Sequence, residues 1–183
     1  MSTVMGKYAV MLNVLSINFI RNSGLRFLWI SLIVVIADQW TKTSVVNTMQ
    51  LYQSIQITSF FNFTYVHNYG AAFSFLHDAG GWQRWFFAII AIAVSGLILY
   101  WLTQTKRLQL RLSIAFTLIL GGAIGNVYDR LVYGYVIDFL DFYYQQWHWP
   151  AFNIADSAIF VGAALLIVDM LFSDDSEAGT AKG

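Results

Sequence analysis

The stretch "LSIAFTLILGGAIGNVYDRL", residues 112–131, decides the fold of this chain because it joins an apolar run to a polar end. A bilayer core about 30 Å thick requires about 20 mostly apolar residues in one helix, and this stretch has that length. Gly122, Gly125, Asn126 and Asp129 recur at spacings of three and four residues, so they share one face of the predicted helix. Because small residues let a neighbouring backbone come close, we predict a membrane helix packed tightly against another through this face.

Three other segments match this one in length and apolar character, and they cover residues 25–45, 85–102 and 154–172. The chain has 183 residues, 58% hydrophobic and 11% charged, which is too apolar for a soluble domain of this size. The predicted fold class is a membrane all-α protein with four transmembrane helices and a small β element. Because no repeat or linker divides the sequence, residues 1–183 are predicted to form a single integral membrane domain.

The β element is predicted in the first outer loop, residues 46–84. Its segment "IQITSFFNFTYVHNYGAAFSF", residues 55–75, interleaves β-branched and aromatic residues with polar ones and is interrupted by the turn-like "NYG". Short strands outside the membrane, or in its outer interface, are therefore expected. The tryptophan and tyrosine residues here and in "FYYQQWHWP", residues 142–150, suit the headgroup level, where a ring buries its apolar body and keeps its polar edge wet.

The distribution of basic residues predicts the orientation. They lie before the first helix and between the second and third: Lys7, Arg21, Arg26, Lys106, Arg107 and Arg111. Since short cytoplasmic loops carry an excess of Lys and Arg, both termini are predicted to be cytoplasmic and the loops 46–84 and 132–153 to be outside. The acidic tail, residues 173–183, is predicted to be disordered.

Several kinds of chemistry are excluded by residue types that the sequence lacks. With no cysteine there is no disulfide, thiolate metal site or cysteine nucleophile. The three histidines, at positions 67, 77 and 148, lack a metal-binding spacing, and neither a P-loop nor a G-x-S-x-G motif is present. We therefore expect no metal and no cofactor, and without a basic run no nucleic-acid partner is expected. Carboxylates are therefore the remaining candidates for catalytic groups.

Polar residues of three predicted helices converge at one depth. Asp38 lies about 13 residues, or about 20 Å, into the first helix, and therefore in its outer half. The other members lie at the outer end of the third helix and the outer start of the fourth: Asn126, Asp129, Arg130, Asn153 and Asp156. Because an acid inside a membrane costs about 2.5 to 3.5 kcal/mol on insertion scales, such residues face a cavity or a partner. Asp138 and Asp141, in the outer connection, are expected near the mouth of that cavity.

Each of these residues also has a purely structural interpretation. Asp38 and Lys42 have the spacing of an intrahelical ion pair, Arg130 suits an interfacial anchor, and Asp156 suits a helix cap. Two nearby aspartates that share a proton would allow one to activate water and the other to polarise a carbonyl, as in an intramembrane aspartyl hydrolase. A proton or ion pathway that uses the same acids remains open, although it favours acids spread through the membrane and repeat symmetry. A purely structural membrane scaffold is the third alternative.

Five motifs, in order and at characteristic spacing, resemble those of bacterial lipoprotein signal peptidase, also called signal peptidase II. The motifs are "DQWTK" (38–42), "NYGAAFSF" (68–75), "GGAIGNVYDR" (121–130), "VIDFLDF" (136–142) and "FNIADSAI" (152–159). The resemblance covers nearly the whole chain apart from about the first 20 residues and the acidic tail. It implies an aspartyl protease of the bacterial inner membrane with four helices, cytoplasmic termini and an active site toward the periplasm.

The same resemblance implies the site residues. The catalytic acids correspond to Asp138, in the motif similar to V-x-D-F, and Asp156, in the motif similar to F-N-x-A-D. Asp141 ranks second to Asp138, because the family acid follows V-V or V-I rather than F-L. The implied supporting residues are Asn68, Asn126, Asp129, Arg130, Asn153, Asp38 and Lys42.

The implied substrate is a prolipoprotein whose signal peptide is cut immediately before a cysteine that bears diacylglyceryl. Its acyl chains would stay among the membrane lipids while the peptide enters laterally between the helices. Monomeric function is expected. The aromatic first loop, residues 55–83, is hypothesised to form a cradle or lid over the bound substrate.

Overall fold

The computed structural model of the chain describes residues 18–70 and 80–178, with side chains described up to residue 172. Four helices in these ranges are long and apolar enough to cross a membrane, so the predicted number of transmembrane helices is confirmed. A single 3₁₀ turn, Gly24–Phe27, leads into the first helix. The helices are α1 (Leu28–Thr48), α2 (Gln83–Gln104), α3 (Leu110–Val132) and α4 (Ile154–Ala178).

The helix ends lie a few residues from their predicted positions. α1 continues three residues past its predicted end at residue 45, where the hydroxyls of Ser44 and Thr48 donate to backbone carbonyls four residues earlier. α4 continues to Ala178, so residues 173–178, predicted to belong to a disordered tail, are helical. Elongating an existing helix costs far less than nucleating one, which explains the extension. Residues 179–183 of the predicted tail lie outside the described residues.

A small antiparallel sheet lies at the end of the bundle where α1 and α3 finish and α4 begins. The strands are β1 (Ser54–Thr58), β2 (Phe61–Asn68), β3 (Val136–Tyr144) and β4 (Trp147–His148), in the order β1-β2-β3-β4. The strands predicted in the first loop are therefore confirmed. The strands β3 and β4 were missed, although "VIDFLDFYY" is rich in the β-branched and aromatic residues that favour strands.

A cluster of buried apolar residues fixes this sheet to the helices. Val45 of α1 packs with Tyr65 of β2 and with Ile137 and Phe139 of β3. The strand that carries Asp138 is therefore held against the end of α1.

α3 lies at the centre of the bundle and packs against each of the other three helices. Its glycines permit this closeness. A Cβ atom on Gly122 would collide with the backbone oxygen of Ala155 in α4, and one on Gly121 would lie 2.9 Å from the backbone oxygen of Ser31 in α1. These short distances between backbones agree with the tight packing that the sequence predicts for α3.

We expect Gly122→Ala to destabilise the protein by about 1 to 3 kcal/mol, because the new methyl group must push α3 away from α4. Gly96→Ala is the matched control, since the space around Gly96 in α2 is open and alanine favours a helix. Thermal unfolding in detergent should give a lower midpoint for the first variant only. Equal midpoints for the two variants would contradict this packing account.

Candidate active site

Two carboxylates from different elements are linked by a pair of asparagines. Asn153 Nδ2 donates to Asp138 Oδ1 on β3 at 2.6 Å, and Asn126 Nδ2 donates to Asp156 Oδ1 on α4 at 2.7 Å. The asparagines also contact each other, since Asn153 Nδ2 lies 3.2 Å from Asn126 Oδ1. A continuous chain of hydrogen bonds therefore runs from one acid to the other.

The second oxygen of each acid is also held. Asn68 Nδ2 donates to Asp138 Oδ2 at 2.9 Å, which joins β2 to β3. The backbone N–H of Asn153 donates to Asp156 Oδ2 at 3.3 Å, and the backbone N–H of Asp156 donates to Asn153 Oδ1 at 2.9 Å. This reciprocal pair has the form of a capping box. Asn153 thus caps α4, while Asp156 accepts the N–H of Asn153 through one oxygen and faces Asn126 through the other.

Burial sets the protonation of Asp138, which is 1% exposed. The loss of hydration, together with the neighbouring Asp156 carboxylate, raises the pKa of Asp138 to about 8, although Asn68, Lys42 and Asn153 oppose the shift. The pair of Asp138 and Asp156 therefore favours holding a proton at neutral pH.

This protonation makes the free energy of unfolding depend on pH. Between pH 3.8, the ordinary pKa of this side chain, and about pH 8, the folded chain holds the proton and the unfolded chain releases it. A group of this kind lowers the free energy of unfolding as the pH rises through that window. Asparagine resembles the protonated acid and does not titrate. Asp138→Asn should therefore raise the unfolding midpoint by at least about 3 °C at pH 8, and by much less at pH 4. A difference that stays constant from pH 4 to pH 8 would refute the protonation assigned to Asp138.

A buried lysine lies behind the two acids. Lys42 Nζ is 2.8 Å from Asp38 Oδ2, 2.8 Å from Asp129 Oδ2 and 3.1 Å from Asn126 Oδ1. Because an ammonium group only donates hydrogen bonds, Lys42 makes Asn126 present its oxygen here. The amide nitrogen of Asn126 is then left to face Asp156.

The partners of Lys42 fix the backbone next to each acid. Asp38 Oδ1 accepts the N–H of Ala155 at 2.9 Å, and Asp129 Oδ2 accepts the N–H of Ile137 at 3.2 Å. Each bonded residue directly precedes one acid of the pair. Through Asp38 and Asp129, Lys42 therefore helps to fix the backbone that carries Asp156 and Asp138.

Gln39 belongs to this network and was missed in the sequence. Its Nε2 lies 2.9 Å from Asp129 Oδ1, 3.1 Å from Asp38 Oδ2 and 3.3 Å from the backbone oxygen of Gly125. The amide group of Gln39 could have identified it as a site residue, because polar side chains inside an apolar helix normally face a partner.

Arg130 borders the same site. It donates to the backbone oxygens of Asn126 at 3.3 Å and Gly70 at 3.1 Å, and its guanidinium lies 5.3 Å from the centre of the Phe87 ring. Among the surrounding carboxylates, its strongest attraction is to Asp156. Its Nε atom is buried and has no hydrogen-bond partner among the described residues.

The residues predicted for the site are thus brought together. One hydrogen-bonded network contains Asp38, Lys42, Asn68, Asn126, Asp129, Asp138, Asn153 and Asp156, with Arg130 attached through the backbone of Asn126.

Asp141 lies outside this network. It is bound by Asn62 at 3.0 Å, by Thr64 at 3.2 Å and by the ring of His148 at 2.8 Å. These partners belong to β2 and β4, so Asp141 joins strands of the sheet.

A cavity of about 650 Å³ opens beside Asp156. Asp138 does not line it, but Asn68, which binds Asp138, does. Its polar lining includes Asn68, Asn126, Arg130 and Asp156, and its apolar lining includes Phe152, Ile159 and Phe160. A lining of this mixed kind suits a peptide that carries apolar groups. Part of the hypothesised lid, residues 71–79, lies outside the described residues, as does the end of the motif 68–75.

Comparison with known proteins gives a consistent result. The sequence model of the family described as signal peptidase (SPase) II matches residues 30–172. A lipoprotein signal peptidase of Alteromonas mediterranea is 69% identical over 157 residues, which cover 86% of each chain. A lipoprotein signal peptidase of Shewanella oneidensis is 54% identical over 157 residues, which cover 86% of this chain and 92% of that protein.

Solved structures resemble the fold. A bacterial membrane enzyme determined by the in meso method at 2.3 Å resolution matches with a TM-score of 0.73 and 35% identity, over 81% of this chain and 88% of that one. A second bacterial membrane enzyme, determined at 1.9 Å, matches with a TM-score of 0.68 and 34% identity, over 79% and 91% of the two chains.

Proposed function

The chain belongs to the signal peptidase II family, the lipoprotein signal peptidases, and we propose that it works as an aspartic endopeptidase with Asp138 and Asp156 as its catalytic pair. It cuts the signal peptide of a prolipoprotein immediately before a diacylglyceryl-modified cysteine. One observation carries the proposal: two acids are linked through Asn126 and Asn153, and a largely apolar cavity opens at Asp156 and at Asn68, the partner of Asp138.

In the proposed reaction the two acids begin with one proton between them, mainly on Asp138. Its raised pKa, about 8, and the attraction of Arg130 to Asp156 support this assignment. Asp156 takes a proton from water, and the oxygen attacks the carbonyl carbon of the peptide bond before the cysteine. Asp138 donates a hydrogen bond to the carbonyl oxygen as negative charge develops there. The tetrahedral intermediate then collapses, and the proton held by Asp156 passes to the leaving amine.

The supporting residues have distinct tasks in this proposal. Asn126 and Asn153 hold one oxygen of each acid, and Asn68 and the backbone N–H of Asn153 hold the other, so that both carboxyl groups keep a fixed orientation. Lys42, Asp38 and Asp129 position these groups from behind and do not contact the substrate. Arg130, whose Nε lacks a partner among the described residues, is placed to bind a substrate carbonyl.

The apolar lining of the cavity supports a lipid-bearing substrate. Ile159 and Phe160 continue it along α4, where Phe160 is strongly exposed on the surface of a membrane-spanning helix. A substrate helix can enter from the membrane, with its acyl chains remaining among the lipids. The basic residues before α1 and between α2 and α3 support cytoplasmic termini, and the proposal is that cleavage takes place at the periplasmic side of the inner membrane.

The experiment compares a prolipoprotein carrying diacylglyceryl on its cysteine with the same polypeptide unmodified. The purified chain should cleave the modified form with a kcat/KM at least about 10-fold higher, because binding energy from the acyl chains supports the reacting geometry. Mass spectrometry of the products locates the bond that is cut. Equal cleavage of the two forms would overturn the proposed substrate requirement, and a cut elsewhere would overturn the proposed bond.

A further inference from the structure

A bulge divides the pairing of β2 with β3 into two parts. Phe63 lies opposite Leu140, whereas the next pair is Val66 with Asp138, so β2 contributes one residue more than β3 between these pairs. At the bulge, the backbone of Tyr65 bonds to the segment that precedes β1. Bulges redirect side chains and are frequent beside active sites. The part beyond this bulge has three residue pairs, and one of them carries Asp138.

The two faces of this short part of the sheet have different surroundings. Neighbouring residues of a strand point to opposite faces. Asn68 and Val136, which lie opposite each other, both line the cavity beside Asp156. His67 points to the other face, where Ile137, the residue opposite it, belongs to the buried cluster at the end of α1. His67 therefore adjoins the candidate active site only through the backbone.

The ring of His67 lies within a group of tyrosine rings on that face. It stacks on Tyr135, with the ring centres 3.6 Å apart and the planes at 17°. Its Nε2 atom lies 2.8 Å from the hydroxyl of Tyr65, which is also hydrogen-bonded to Tyr135. Tyr69 meets both stacked rings edge-on. Because Tyr135 directly precedes β3 and lies diagonally across from His67, the stack joins the end of β2 to the start of β3.

Asn68, the residue after His67, connects three parts of the candidate active site. Its Nδ2 atom donates to Asp138 Oδ2 at 2.9 Å, and its Oδ1 atom accepts the N–H of Gly70 at 3.1 Å. The oxygen of Gly70 in turn accepts from Arg130 Nη2 at 3.1 Å. As the last residue of β2, Asn68 depends for its position on the strand residues that precede it. A displacement of about 1 Å in a catalytic site can reduce a rate about 100-fold.

We propose, on the basis of the function proposed above, that His67 and Tyr135 are positioning residues of the peptidase reaction: their stacked rings hold the end of β2 so that Asn68 keeps its bond to Asp138. Neither ring lines the cavity, so both act from the opposite face of the sheet without touching the substrate. When the bond from Asn68 is lost, Asp138 can turn away from the carbonyl oxygen that it polarises. The chemical step then slows while substrate binding is maintained.

The test measures kcat and KM for cleavage of diacylglyceryl-modified prolipoprotein by His67→Ala and Tyr135→Ala. We expect kcat to fall at least about 10-fold in each variant and KM to change by less than about 2-fold. His67→Phe keeps a flat ring and should retain kcat within a few-fold of the original chain. His148→Ala is the matched control, because His148 also stacks on a tyrosine, Tyr143, where β3 pairs with β4; it should leave kcat within a few-fold.

Thermal unfolding in detergent shows whether each variant is folded. If His67→Ala is not, His67→Leu takes its place with the same expected result, since leucine keeps a similar volume without a flat ring. An unchanged kcat in the folded variant would overturn the proposal.

A second background shows whether the rings act through Asn68. In Asn68→Ala there is no bond for the rings to maintain, so adding His67→Ala should lower kcat by less than about 2-fold more. An equal reduction in both backgrounds would mean that the rings only stabilise the sheet, and it would overturn the proposal while the proposed function stands. No cleavage by the original chain would overturn the proposed function and the positioning role together.

Discussion

Replacing either Asp138 or Asp156 by asparagine is expected to reduce cleavage of a diacylglyceryl-modified prolipoprotein by at least about 1,000-fold. Asparagine retains the size of each side chain and one acceptor oxygen. In place of Asp156 it can neither take a proton from water nor pass one to the leaving amine. In place of Asp138 its amide is a far weaker acid than a carboxyl group, so it stabilises the negative charge on the carbonyl oxygen much less. Because the two acids act as a unit, the double variant should be hardly less active than either single variant. Product formation over time with the purified variants measures this.

Asp141→Asn is the matched control, since Asp141 lies on the same strand as Asp138 but is bound to Asn62, Thr64 and His148. We expect it to retain cleavage within a few-fold of the original chain. Substantial activity in either Asp138→Asn or Asp156→Asn would refute the assignment of that residue. Loss of activity in a folded Asp141→Asn variant would indicate that Asp141, and not Asp138, is the catalytic acid of β3.

Lys42→Met is expected to destabilise the protein by about 3 to 5 kcal/mol and to abolish cleavage. Asp38 and Asp129 are both fully buried, and removing their shared cation leaves two acids without a countercharge. Arg111→Met is the control, because it removes the more exposed ion pair with Asp169, in which the charged atoms are 3.7 Å apart. That change should cost less than about 1 kcal/mol. Unfolding midpoints and residual activity distinguish the two variants.

A second substitution separates the loss of charge from a loss of packing. Adding Asp129→Asn to Lys42→Met removes one unpaired acid, so the double variant should be more stable than Lys42→Met alone. Such non-additivity is characteristic of residues in direct contact. If the two destabilisations simply add, the buried charges do not explain the role of Lys42.

The sequence predicted the helices well because hydrophobic length alone determines which segments can span a membrane. It also predicted that Asp38, Asn126, Asp129 and Asp156 share a depth, since the rise per residue fixes the depth of each along its helix. The contacts between helices were not predictable in this way. Spacing identified the pair of Asp38 and Lys42, but the contact of Lys42 with Asp129 depends on how α1 packs against α3.

The second loop shows a different limit. β3 was not predicted, because its strand-forming residues are interrupted by Asp138 and Asp141, and aspartate is uncommon in strands. The choice between Asp138 and Asp141 came from the resemblance to a family, since both acids have similar neighbours in the sequence. Their different surroundings arise from pairing: Asp138 meets Asn68 and Asn153, whereas Asp141 meets Asn62 and His148.

A single turnover in heavy-oxygen water tests most directly whether the two acids activate water. The purified chain, in excess over diacylglyceryl-modified prolipoprotein, is allowed one round of cleavage, and the products and the enzyme are analysed by mass spectrometry. We predict one heavy oxygen in the new carboxylate of the released signal peptide and none in Asp138 or Asp156. An unlabelled signal peptide, together with a heavy oxygen in either aspartate, would contradict the account, because that acid would then have attacked the peptide itself.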